Sequence, residues 1–222
     1  MGMFLNSIEP YDKYKTITKG FYFVDKTELL EELIPALEQE QRFFCITRPR
    51  RFGKTVMANM IASFFEKSAG GSDIFDRLKI SEYPKYKEHL NKHEVVYIDF
   101  SEMPKGCDSY KKYISRIEEG IYYDLREKYS DLYLKQEDAI WDIFSKIFNE
   151  TKKKFIFVMD EWDAVFHMSF MTEKNREDYL LFLKLLLKGQ SYVELAYMTG
   201  VLTIAKYSDG SELNMFLAYH MA

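Results

Sequence analysis

Arg42-Phe43-Phe44-Cys45-Ile46-Thr47, running on into Arg48-Pro49-Arg50-Arg51-Phe52-Gly53-Lys54-Thr55, is the stretch on which the reading of this chain turns. The first six residues form a short apolar run, aromatic in part, with the composition of a buried strand. Beyond Thr55, Met57, Met60, Ile61, Phe64 and Phe65 recur at i, i+3, i+4, i+7 and i+8, which is one face of a helix. The order is strand, glycine-containing loop, helix. Four positive charges, Arg48, Arg50, Arg51 and Lys54, fall within seven residues of that loop.

Working outward, three more apolar runs read as strands: Glu94 to Phe100, Phe155 to Met159, and Val193 to Met198. Phe216 to Met221 reads as a short fifth. Helical spacing fills the gaps, over Thr27–Glu40, over much of Tyr110–Asn149 and over Asn175–Lys188, with Gly189 placed to cap the last. Asp25, three residues before Glu28, suggests a capping box. Lys13 to Val24, rich in Tyr, Phe and Thr, reads as an extended lead-in, and Ser68–Ser72 and Ser208-Asp209-Gly210 read as turns. Continuous apolar strands separated by helices imply an α/β fold with a mainly parallel sheet covered on both faces. No linker divides it, so residues 1–222 are read as one domain, with residues 1–41 as its N-terminal lead-in and helix.

Composition narrows the function. The chain has 222 residues, 47% of them hydrophobic, enough for a sizeable core. Against 35 Asp+Glu it has 31 Lys+Arg, for a net charge of −4, so a nucleic-acid partner is not supported by charge. Cys45 and Cys107 are too few for a disulfide framework, which points to a reducing cytoplasm. No secretory signal and no membrane span is read.

Gly53-Lys54-Thr55 supplies the second half of the phosphate-loop pattern G-x-x-x-x-G-K-[ST], with Arg48 at the first glycine position. In that pattern Gly53 lets backbone amides approach phosphate oxygens at a helix N-terminus. Lys54 reaches the β- and γ-phosphates, and the Thr55 hydroxyl is offered to Mg²⁺. The strand Phe155–Met159 runs into Asp160-Glu161, a Walker B pattern with an adjacent glutamate. A parallel strand delivers its last residue to the edge where ligands bind. Asp160 is there to hold Mg²⁺ and Glu161 to activate an attacking water.

With those residues in view, the chain resembles the AAA-ATPase-like proteins, P-loop ATPases of bacteria and archaea. The resemblance is carried by Tyr22-Phe23-Val24-Asp25-Lys26-Thr27, Thr47 to Thr55, Ile98-Asp99-Phe100-Ser101, Met159-Asp160-Glu161-Trp162-Asp163 and Thr199-Gly200-Val201. Arg-Pro-Arg-Arg-Phe-Gly-Lys-Thr is the form this loop takes in that family. The resemblance implies a three-layer P-loop NTPase sandwich of the additional-strand, catalytic-glutamate type, with strand order 5-1-4-3-2. It implies ATP and Mg²⁺ as cofactors and Arg50, Arg51, Phe52, Gly53, Lys54 and Thr55 as the phosphate-binding loop. Thr55 and Asp160 are implied as metal-binding residues, Glu161 as the catalytic base, and Thr199 as the sensor of the γ-phosphate. Family members commonly continue into a helical lid and a PD-(D/E)xK nuclease-like region. The present sequence is read as the ATPase core without them, with such an effector region or a partner protein as its expected associate.

Several residues stay open between two readings. Arg48, Arg50 and Arg51 serve phosphate, act as an arginine finger or touch a neighbouring chain, or else form a solvated basic turn or pair with Asp160, Glu161 or Asp163. Tyr22 and Phe23 stack on adenine or belong to the core. Asp99 stands behind Mg²⁺ or caps a turn; Asp163 orients an arginine or water, or caps a helix; Lys206 is a second sensor or a surface lysine. Asn91-Lys92-His93-Glu94 and Glu150-Thr151-Lys152 imitate GTPase and nuclease motifs in the wrong places, and the histidines lack metal-ligand spacing. ATP hydrolysis is the leading expectation. A non-hydrolysing nucleotide switch or interaction module comes second, and a small-molecule kinase is disfavoured by Asp160-Glu161.

Overall fold

In a computed structural model, which describes residues 2–67, 72–206 and 213–220, strand β1 (Phe43–Thr47) leads through the basic loop into a helix, as the spacing predicts. The chain order is α1 (Glu9–Thr18), α2 (Leu29–Ala36), β1, α3 (Lys54–Phe65), α4 (Tyr86–His89), β2 (Glu94–Asp99), α5 (Tyr110–Lys128), α6 (Ile140–Thr151), β3 (Phe155–Asp160), α7 (Glu173–Leu187), β4 (Val193–Gly200) and β5 (Leu217–His220). The five strands form one sheet in the order β2-β3-β4-β1-β5, and every neighbouring pair is parallel. Read from the other edge this is 5-1-4-3-2, as expected.

Both faces of the sheet are covered, and the side chains alternate between them. Val96, Ile98, Phe157, Met159 and Met198 enter one core with residues of α5, α6 and α7. Val95, Tyr97, Ile156, Val158, Leu195 and Tyr197 enter the other with residues of α1, α2 and α3. Burial on both faces is why these strands read as continuous apolar runs. The parallel arrangement also brings the ends of β1, β3 and β4 to one edge, with Thr47 opposite Gly200 and Asp99 opposite Asp160.

Two local readings need correction. The lead-in Lys13–Val24 is not extended: helix α1 takes its first half. Pro10 sits in the first turn of α1, where its missing N–H costs nothing, and Tyr11 and Tyr14 are buried at i, i+3 spacing. Tyr14 stacks on Phe75 at 5.6 Å, so tertiary burial overrides the strand preference of Tyr and Thr. The capping box does not form either. Asp25 accepts from the Thr27 amide and hydroxyl (2.9 and 2.7 Å) and from the Lys79 amide (2.7 Å), Glu28 pairs with Lys79 instead (2.8 Å), and regular helix begins only at Leu29. Tyr110–Asn149 is mainly helical, as the spacing predicts, in two helices separated between Lys128 and Ile140. Residues 68–71 and 207–212, where two turns are expected, lie outside the described residues, as do the last two residues of the chain.

At the opposite edge of the sheet, Glu94 ties three segments together. Its carboxylate takes Asn6 Nδ2 at 2.5 Å, Lys128 Nζ at 2.5 Å and Lys67 Nζ, while only 4% of its side chain is exposed. Burial alone would raise the Glu94 pKa, but the three donors outweigh it and hold the carboxyl below the ordinary range. Lys128 moves the other way, with its pKa lowered, because burial acts on it too and Lys67 competes for the same carboxylate. Removing one partner of a buried pair leaves the others unpaired. Lys67 and Lys128 keep 37% and 25% of their side chains in solvent and can rehydrate, so Glu94→Ala is expected to destabilise the fold by about 2 kcal/mol and lower its melting temperature by roughly 6 °C. The Glu94 pKa is depressed on folding, so its contribution is present above the unfolded value of 4.5 and lost as pH falls below it. Thermal melts of both proteins across that range check the sign: the gap between them should close on acidification.

Candidate nucleotide site

Beyond Thr47 the backbone turns through two left-handed residues, Arg51 (φ 71°) and Gly53 (φ 79°). Gly53 caps α3, and a Cβ there would meet nothing within 4 Å. Its glycine is thus required by backbone conformation and not by crowding. The first turn of α3 opens toward the sheet edge with unpaired amides and the positive end of the helix dipole. Arg50, Arg51 and Phe52 are exposed on this loop, and neither arginine makes an ion pair among the described residues. Arg48 is held differently: its amide donates to Gly200 O at 3.1 Å, joining the start of the loop to the end of β4.

Lys54 is buried, with 3% of its side chain exposed, and folds back across the loop. Its ammonium donates to Pro49 O at 3.4 Å and lies 3.3 Å from Glu161 Oε1. The loop lysine and the acid after β3, far apart in sequence, therefore meet as an ion pair. Glu161 is itself left-handed, with φ 51°, a conformation costly for a residue other than glycine. Its surroundings impose it: the Glu161 amide donates to Thr199 Oγ1 at 3.2 Å and the Trp162 amide to Thr199 O at 2.9 Å.

Asp160 is fully buried. Its Oδ1 accepts from the Thr199 hydroxyl, and the Thr55 hydroxyl also faces the carboxyl. Oδ2 is buried without a hydrogen-bond partner among the described residues. Burial raises the Asp160 pKa, the two hydroxyls pull it back, and the Asp99 and Glu161 carboxylates push it further up. The Tyr97 and Tyr197 phenols lie close enough to feel this charge, and burial with Asp160 nearby raises both.

Among the described residues no three His, Cys, Asp or Glu side chains gather as a metal cage. Magnesium in a nucleotide site does not need one, because it keeps waters and takes phosphate oxygens beside one or two protein donors. A buried carboxylate with one unpartnered oxygen and a threonine hydroxyl beside it is a donor set of that kind.

Lys54, Thr55, Asp160, Glu161 and Thr199 thus converge, with Asp99 beside Asp160 on the neighbouring strand, while Asp163, Tyr22 and Phe23 make their contacts elsewhere. Asp99 accepts from the Ser101 amide and hydroxyl at 2.8 and 2.6 Å, the turn-capping alternative. Asp163 does not cap the short turn Ala164–His167: its Oδ2 takes the amides of Val201 and Leu202 at 2.9 and 2.8 Å. Phe23 packs edge-on to Tyr14 at 6.2 Å, whereas Tyr22 is 90% exposed. Tyr97 and Tyr197 beside Asp160 escape sequence reading, since a buried tyrosine in an apolar run carries no signal of what it faces. No helix among the described residues is long and apolar enough to cross a membrane.

A family model described as Predicted AAA-ATPase matches residues 8–208. No curated protein and no solved structure matches the chain.

Proposed function

From the premise that this chain belongs to the predicted AAA-ATPase family, we propose that residues 1–222 form one Mg²⁺-dependent ATP-binding domain that hydrolyses ATP. The observation that carries this reading is the meeting of Lys54 and Thr55, at the start of α3, with Asp160 and Glu161, at the end of β3. The loop amides and Lys54 bind the phosphates, with Arg50 and Arg51 at hand to offset their charge. Thr55 and Asp160 hold Mg²⁺, which would neutralise charge building on the phosphate oxygens. Glu161 orients the attacking water and takes its proton. Thr199 fixes the geometry of Asp160 and of the Glu161 amide, and it reads the γ-phosphate by turning its one hydroxyl proton from Asp160 to a phosphate oxygen. Free thiols at Cys45 and Cys107 fit a reducing cytoplasm, and the expected associate is a nuclease-like effector region or partner protein.

One contact favours a second reading, a nucleotide switch that binds without turnover. The Lys54–Glu161 pair occupies both the phosphate-binding cation and the base, so nucleotide must break it before either can act. Phosphate release by the purified chain with Mg²⁺ and ATP, abolished in Glu161→Gln, supports hydrolysis. Tight binding with no release supports the switch, and no nucleotide binding at all sinks both.

Asp160 adds a pH test. Only the ionised carboxylate holds Mg²⁺, and the Asp160 pKa lies above its ordinary 3.8. On acidification the Mg²⁺-dependent part of ATP affinity should therefore begin to erode at a higher pH than an ordinary aspartate would allow. The same shift means that protonation relieves a cost of folding, so the loss of affinity is not a loss of structure. Calorimetric titrations with and without Mg²⁺ at each pH check this, and in Asp160→Asn the Mg²⁺ increment should be absent throughout.

A further inference from the structure

The four residues that leave β3 are stitched to the end of β4. Asp160 accepts from the Thr199 hydroxyl, the Glu161 amide donates to Thr199 Oγ1, and the Trp162 amide donates to Thr199 O. Asp163 completes the series from its side chain, one oxygen taking both the Val201 and the Leu202 amide. Asp163 is 2% exposed, and its second oxygen has no hydrogen-bond partner among the described residues. A Cβ on Gly200 would stand 2.5 Å from Trp162 Nε1 and 2.9 Å from Asp163 Oδ1, so this carboxylate is packed directly against the Gly200 backbone. Gly200 O in turn holds the Arg48 amide, at the first position of the phosphate loop.

We propose that Asp163 is a positioning residue, whose carboxylate sets the turn Gly200–Leu202 and thereby the placement of Thr199 against Asp160 and Glu161. The inference rests on the nucleotide-site reading above and extends it to a residue that touches neither phosphate nor metal. A hydroxyl whose one proton is held by a buried carboxylate and has to turn from it to the γ-phosphate has little tolerance, since a misplacement of about 1 Å can cost about 100-fold in rate. Strand pairing fixes β4 as far as Gly200, opposite Thr47, and among the described residues no strand pairing continues beyond it. There the Asp163 carboxylate takes over from the sheet. Its two amide bonds are charge-assisted, the stronger kind.

The test compares Asp163→Ala, Asp163→Asn and Gly200→Ala in the full chain. Asp163→Ala should lower kcat by about 100-fold, lose the preference for ATP over ADP, and leave ADP affinity close to native. Asp163→Asn keeps an oxygen able to accept both amides and should recover most of kcat. Gly200→Ala crowds the Trp162 indole at 2.5 Å and the same carboxylate at 2.9 Å from the other side, and should repeat the alanine pattern. It also keeps the proposal testable if Asp163→Ala does not fold. Amide exchange at Val201 and Leu202 should quicken in the two damaging variants. A purely structural role would lower the melting temperature and leave the ATP-to-ADP ratio alone. Native kcat in folded Asp163→Ala, or an asparagine variant no better than alanine, would overturn the proposal. If the native chain binds but does not turn over ATP, the ATP-to-ADP ratio decides. A native chain that binds no nucleotide would instead fail the nucleotide-site reading itself.

Discussion

Lys54→Ala is expected to lower ATP affinity by about 100-fold or more, measured by calorimetry with Mg²⁺ present. In a buried setting a lysine hydrogen bond to phosphate is charge-assisted, and losing it costs about 3 kcal/mol. The lysine is well set for this. Its side chain is 3% exposed and its ammonium is already directed into the loop, against Pro49 O and Glu161. Little ordering entropy remains to be lost on binding. Stability should change much less than affinity, because Glu161 keeps 24% of its side chain in solvent and can rehydrate once Lys54 is gone. An alanine variant that melts normally and binds ATP as the native chain does would place the phosphates elsewhere.

Glu161→Gln separates binding from chemistry. The amide cannot take a proton from water, so hydrolysis should fall by about 10²- to 10⁴-fold, the usual worth of a general base. ATP affinity should hold or rise. In the unliganded protein Glu161 competes with phosphate for Lys54, and glutamine competes far less well for an ammonium. Opposite signs in the two measurements are a demanding signature: a variant that merely disturbed the site would lose both together. If turnover survives, Glu161 is not the base. If affinity and turnover fall in step, the Lys54–Glu161 pair does not oppose binding.

The glycine-containing loop before α3 and the acids at the end of β3 are legible as local structure because each depends on local sequence. An apolar run, a glycine needed for its φ of 79° and an apolar helical face define the first. A buried strand ending in two acids defines the second. Parallel strands followed as well, since strands buried on both faces lose the polar alternation of half-exposed ones. The strand order 5-1-4-3-2 did not come from spacing: it followed from the family resemblance, and the sheet agrees with it. The lead-in was misread for a physical reason. Its Tyr and Thr favour strands weakly, while the burial of Tyr11 and Tyr14 in α1 stabilises helix more strongly.

Asp163 marks the boundary between the two kinds of knowledge. Beside Asp160-Glu161 its sequence context suggests a helix cap, because capping is what an aspartate does with amides close to it in the chain. The amides it takes belong to Val201 and Leu202, more than thirty-five residues away. Likewise nothing in the sequence pairs Lys54 with Glu161 or leaves Asp160 Oδ2 without a partner. Sequence alone determined which residues could carry the chemistry, since residue type and local backbone need suffice to mark a loop glycine, a lysine and a strand-end acid. Tertiary structure decided which of them meet. Parallel pairing of β1, β4 and β3 brings their ends to one edge, and there distance sets which charges and hydroxyls are partners.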